Sequence, residues 1–204
     1  KKMIRSVDIY EPKTIEVILP FTNSKLQFID IKEWDGQAIR MDIEFYKQLV
    51  ETYMRVTVTD DIRRKKKVMK KIIEINADLR RRTDFGLIYL LLEGNKGGIM
   101  LIGQTSRISS VDDWDFTKPP WNKFSEIFIF SMKNESFPLS LRTTVEAKLL
   151  QNAMDNEAFT LLNEQKNTAE KIKLAEFQIN EPDVVRYYEN IRAVLKAFNI
   201  DMFP

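Results

Sequence analysis

Arg142 and Glu146 stand one helical turn apart in the stretch LRTTVEAKLL, and Tyr89 stands alone among the apolar residues of FGLIYLLLE. The chain has no histidine and no cysteine. That excludes disulfides, thiolate chemistry, zinc sites built from those ligands and any histidine-based triad. Catalysis by this chain would fall to carboxylates, tyrosine, lysine, arginine or serine, and any metal would be a hard ion bound through oxygen.

The elements that must position these residues centre on residues 85 to 106, FGLIYLLLEGNKGGIMLIGQTS. Five of the six glycines of the chain lie here: Gly86, Gly94, Gly97, Gly98 and Gly103. GLIYLLLE and GGIMLIGQ read as two apolar strands, and GNKGG between them supplies the conformational freedom of a hairpin turn. Gly86 and Gly103 fall at the outer ends of this hairpin, where a missing side chain allows another group to approach the backbone closely. EIFIFSM (126–132) reads as a third strand. In SLRTTVEAKLLQNAM (140–154), Leu141, Val145, Leu149 and Leu150 make the buried stripe of a helix, with Glu146 beside it. AFTLLN closes this unit at Asn163, and the polar EQKNTAEKIK reads as a linker.

Upstream, TIEVIL, LQFIDI and the segment after Asp35-Gly36 alternate as strands of a small N-terminal sheet. Asp42 is placed to cap a helix beginning DIEFYKQLV. A closing helix, EPDVVRYYENIRAVLKAFNI, presents Val184, Tyr188, Ile191, Leu195 and Phe198 on one face. The divisions expected are an N-terminal sheet plus helix over 1–60, a basic connecting helix over 61–84, a core over 85–164, and a linker with a C-terminal helix over 165–204. The fold class expected is α/β in the α+β sense.

Net charge is only +2, but it is unevenly spread. Between Arg63 and Arg82 ten basic residues face two acids, a surplus of eight, so the remainder is acidic by six charges. Arg63, Arg64, Lys65, Lys66, Lys67, Lys70 and Lys71 crowd the first turns of that helix, where its dipole disfavours them. A solvated face and a polyanion-binding surface are both readings of this cluster. No apolar run is long enough to cross a bilayer and no leader is visible, so a cytoplasmic protein without membrane contact is expected.

Two strands carrying LIY (87–89) and LIGQTS (101–106), a strand ending near Phe130-Ser131, and a helix with a glutamate at the edge of its stripe resemble the GIY-YIG nuclease superfamily. LQFIDIKEWDGQAIRM and EPDVVRYYENIRAVLKAFNIDMF are similar to the N-terminal sheet and the following helix of an uncharacterised bacterial branch. The resemblance implies a GIY-YIG-like core and divalent-metal-dependent DNA endonuclease activity, with RNA left open as a substrate. It implies that Tyr89 takes part in deprotonating the attacking water and that Glu146 holds a single Mg²⁺ or Mn²⁺. Gly103 is the motif glycine, and Arg107 or Arg142 steadies the scissile phosphate. Thr105, Trp121 and Asn163 join the basic cluster as candidate nucleic-acid contacts; Trp114 and Trp121 have the rings to stack on bases.

The chain departs from the family pattern at Leu101, where the second motif has its tyrosine, and at Ser110, where the family arginine would fall. Arg107 lies three residues earlier. These departures motivate an alternative: a nucleic-acid-binding module that keeps the fold without the chemistry. A protein–protein adaptor, including a homodimer built on the apolar closing helix, is a third reading.

Overall fold

The computed structural model describes residues 15–18, 25–48, 86–94, 98–106, 114–133, 136–156, 159–162, 167–175, 178, 180–200 and 202. Strands β1 (Ile15–Ile18), β2 (Leu26–Ile31), β3 (Gly36–Asp42), β4 (Leu87–Leu92), β5 (Ile99–Thr105), β6 (Glu126–Met132) and β7 (Thr160–Leu161) form one sheet in the order β1-β2-β3-β6-β4-β5-β7. Helices α1 (Leu139–Asn156), α2 (Asn167–Ala175) and α3 (Pro182–Ala197) follow the strands in sequence, with β7 between the first two. The class is α+β, as expected.

The N-terminal strands continue the sheet of the core. β3 pairs with β6 along its whole length, from Gly36 opposite Met132 to Asp42 opposite Glu126. β6 also pairs with β4, from Ile88 opposite Phe130 to Leu92 opposite Glu126. Only the last contact, β5 with β7, is parallel. Asp42 caps the helical residues 43–48, its carboxylate accepting the Phe45 amide at 2.8 Å.

Antiparallel sheets often leave one face to water. Here both faces of the central strands are covered, which explains why β6 is apolar at consecutive positions instead of alternating. Ile88, Leu90, Leu92, Phe128 and Phe130 pack against Val145, Leu149, Ile191 and Leu195 of α1 and α3. On the opposite face Leu87, Leu91, Ile127 and Ile129 meet Tyr46, Phe116 and Phe124, with Tyr89, Leu101, Trp114 and Trp121 packed at the margin. Each such buried side chain stabilises the fold by roughly 1.5–3 kcal/mol relative to exposure.

Helix α1 is buried over more of its circumference than its apolar stripe predicts. Arg142, Thr144 and Glu146 are covered along with Val145, Ala147, Leu149, Leu150 and Ala153. Arg142 lies against Gln104 and Gly86 of the sheet, Thr144 meets Gln178, and Glu146 meets Lys171 of α2, which packs beside α1 where a linker was expected. NTAEKIKLA carries no full apolar face. Ala175 is buried and Ile172 half-buried against the core, while Leu174 stays exposed. No described helix is long and apolar enough to cross a membrane.

Candidate active site

The hairpin β4–β5 sets Tyr89 directly opposite Gly103. Opposed residues on an antiparallel pair share a face, so the tyrosine ring can lie across β5 only if its partner has no side chain. A Cβ on Gly103 would stand 2.4 Å from the phenol oxygen and 2.5 Å from Cζ. At the same open end of the hairpin, just before Leu87, a Cβ on Gly86 would stand 1.5 Å from Nη1 of Arg142 and 2.8 Å from the Phe137 carbonyl. The close approach expected from these two glycines therefore has definite visitors, and both are candidate site residues.

Arg142 reaches the sheet from the first turns of α1. Its Nε donates to Oε1 of Gln104 at 2.5 Å, and it forms no ion pair among the described residues. Burial lowers its affinity for a proton, an effect the nearby charge of Glu146 opposes; an arginine stays charged regardless. One turn on, the Glu146 side chain is 2% exposed. Its Oε1 accepts from Nζ of Lys171 at 3.2 Å, while Oε2 is buried without a hydrogen-bond partner. Burial raises the Glu146 carboxyl above its ordinary value; Lys171 and then Arg142 pull it back down. The Tyr89 phenol is likewise raised, first by burial and then by the charge of Glu146. Tyr89 packs on the sheet face opposite α1 and makes no hydrogen bond to Glu146; the carboxylate acts on it through charge alone, whereas Arg142 and Glu146 are neighbours on α1.

Rings line the other side of Tyr89. Trp114 meets it edge-on, with centroids 4.6 Å apart, and Trp121 stacks on Trp114 at 5.4 Å with planes 10° apart. One face of Trp121 is therefore occupied by Trp114. Thr105 ends β5, half-buried, opposite Leu87. Leu101 sits on the Tyr89 face, packed against the aromatic cluster. Arg107, Ser110, Asn163, Gly97 and the basic residues Arg63, Arg64, Lys65, Lys66, Lys67, Lys70 and Lys71 lie outside the described residues.

Sequence reasoning missed Gln104 and Lys171. Gln104 falls inside the QTS that follows the motif glycine, and its polar side chain in an apolar strand is the available signal. Lys171 carries none, because its partner is fixed by the packing of α2 on α1. The salt bridge considered for Glu146 within its own helix, to Arg142 or Lys148, is not made. Lys148 instead lies over the Tyr188 ring, its ammonium 4.6 Å from the centroid.

Glu146 is the natural place to test for a hard cation. Among the described residues no group of three or more carboxylates could hold one. A Mg²⁺ ion does not require that: it keeps several waters and takes one or two carboxylates together with phosphate oxygens. A buried carboxylate with one oxygen unpartnered fits this donor set. Comparisons with protein-family models, curated proteins and solved structures found no match to this chain.

Proposed function

We propose that this chain is a divalent-metal-dependent endonuclease of the GIY-YIG type, hydrolysing phosphodiester bonds in DNA. The observation that carries the reading is the unpartnered Oε2 of Glu146, buried within the electrostatic reach of Tyr89 and Arg142. Leaving a buried carboxylate oxygen unbonded costs stability; a ligand position gives the arrangement a purpose. A cation held by Glu146 would supply Lewis-acid stabilisation of charge on the phosphate.

The protein's own residues would do the rest. The raised phenol keeps its proton at neutral pH, so Tyr89 enters as a neutral hydroxyl that can orient a water and relay a proton. Arg142, held at Nε by Gln104 and with Nη1 against Gly86, makes no ion pair among the described residues and would lend its positive charge to the site. Gly86 and Gly103 keep the two side chains in place by giving them room.

A second reading has its own observation. Leu101 supplies no hydroxyl on the Tyr89 face, which favours a module that binds nucleic acid without cutting it. A nicking assay on supercoiled plasmid with Mg²⁺ and then Mn²⁺, wild type against Glu146→Gln, separates the two. Cleavage by the wild type alone supports the endonuclease. No cleavage by either, with plasmid retarded on a gel at low salt, supports the binding module.

A further inference from the structure

Glu146 already has a cation, and it belongs to the protein. Lys171 Nζ stands 3.2 Å from Oε1, in contact with one carboxylate oxygen, while the other has no partner. The two residues differ in their freedom: the Glu146 side chain is 2% exposed, whereas that of Lys171 is 45% exposed. Glu146 is therefore held in place, and Lys171 is a long half-hydrated chain that can turn back into water. The helix that carries it is lightly anchored. Among its described side chains only Ala175 is buried and Ile172 half-buried, with Leu174 exposed.

A buried carboxylate requires a counter-charge whether or not a ligand is present. Lys171 supplies it in the free protein. An ammonium group and a divalent ion on the same carboxylate would repel one another. We propose that Lys171 is a tethered competitor for the cation site at Glu146, occupying it in the free protein and leaving when a divalent ion binds. The proposal rests on the reading of Glu146 as the metal ligand. Its consequence is a threshold: the free protein binds the ion weakly, and the movement of Lys171 couples occupancy of the site to the setting of α2 against α1. Once displaced, Lys171 carries a free positive charge beside the site, where a phosphate backbone would meet it.

The test is a Mn²⁺ titration at pH 8, followed by the electron paramagnetic resonance signal of the free ion. Wild type, Lys171→Met, Glu146→Gln and the double variant are compared, with Lys171→Gln as a second substitution and thermal melts to confirm folding. Removing a charge-assisted competitor should tighten Mn²⁺ binding about tenfold in both Lys171 variants, and the gain should vanish in the Glu146→Gln background. Equal or weaker binding after loss of Lys171, with wild-type binding abolished by Glu146→Gln, overturns the competitor and leaves the metal reading standing. No binding by any form, or binding indifferent to Glu146→Gln, overturns both.

Discussion

Two arginine–glutamate combinations, Arg40 with Glu126 and Arg142 with Glu146, are used in opposite ways. In the middle of the sheet, Arg40 of β3 reaches diagonally to Glu126 of β6. Its Nε donates to Oε2 at 3.2 Å, its Nη2 pairs with Oε1, and its Nη1 donates to Gln27 at 3.0 Å. The guanidinium also lies 4.9 Å over the Phe198 ring. Every carboxylate oxygen of this pair is answered, and the fork geometry closes the group on itself. Beside the β4–β5 hairpin, Arg142 and Glu146 sit one turn apart and do not join. Arg142 is held by Gln104, Glu146 by Lys171, and one carboxylate oxygen remains open. A pair that closes on itself has a structural task; one held apart by neighbours retains capacity for a third party.

The sharpest way to break this comparison is Glu146→Gln. Losing a metal's charge stabilisation, worth several kcal/mol, should lower metal-dependent nicking about a thousandfold. The melting temperature should hold or rise, because a poorly satisfied buried charge is removed. Tyr89→Phe keeps the ring on Trp114 and deletes only the hydroxyl; nicking should fall about a hundredfold, as when a positioned proton carrier is lost. Far-ultraviolet circular dichroism should stay unchanged, and full activity in this variant would remove Tyr89 from the mechanism. At the closed pair the expectations reverse. Glu126→Gln should cost about 1–3 kcal/mol in urea unfolding by leaving Arg40 half-buried and short of its charge partner, while the nicking rate per folded molecule stays the same.

The smallest effect is the dependence on pH. Glu146 has a folded value above its ordinary 4.5, so between the two values the folded protein binds more protons than the unfolded chain. Stability then falls as pH rises. The contribution of Glu146 is fully present below 4.5 and is lost as pH climbs through its folded value. Stability curves of wild type and Glu146→Gln should therefore diverge against the wild type between acid and neutral pH. Parallel curves would mean that Lys171 and Arg142 offset the burial of this carboxylate.

Period and turn chemistry carried much of the architecture. The hairpin, β6, the long helix and the closing helix are where apolar runs or helical spacing put them, and the Asp42 cap is visible as an aspartate before an apolar stripe. Gly86 and Gly103 were legible as sites of close approach but not as to what approaches, since that depends on register and on where α1 crosses. Helix α2 was illegible because its few apolar residues make no face. Its partner α1 was read too simply for the same reason: Glu146 lies beside the stripe in sequence, and its contact with Lys171 of α2 was not legible there. The site residues that sequence reasoning could name are those with a local pattern. Gln104 and Lys171 acquire their roles from neighbours far along the chain.

β6 lies between β3 and β4 in space yet follows both in sequence. A nascent chain can close the β2–β3 and β4–β5 hairpins by local pairing, but nothing can join them until residues 126–132 arrive. Pairing of that range is slow to find, because loop-closure entropy must be met before any contact rewards it. Until then β3 and β4 each present an open strand edge, the kind that invites pairing with another chain. Before residues 126–132 take their place the chain can therefore hold two separate hairpins, each with an edge open to pairing with another chain.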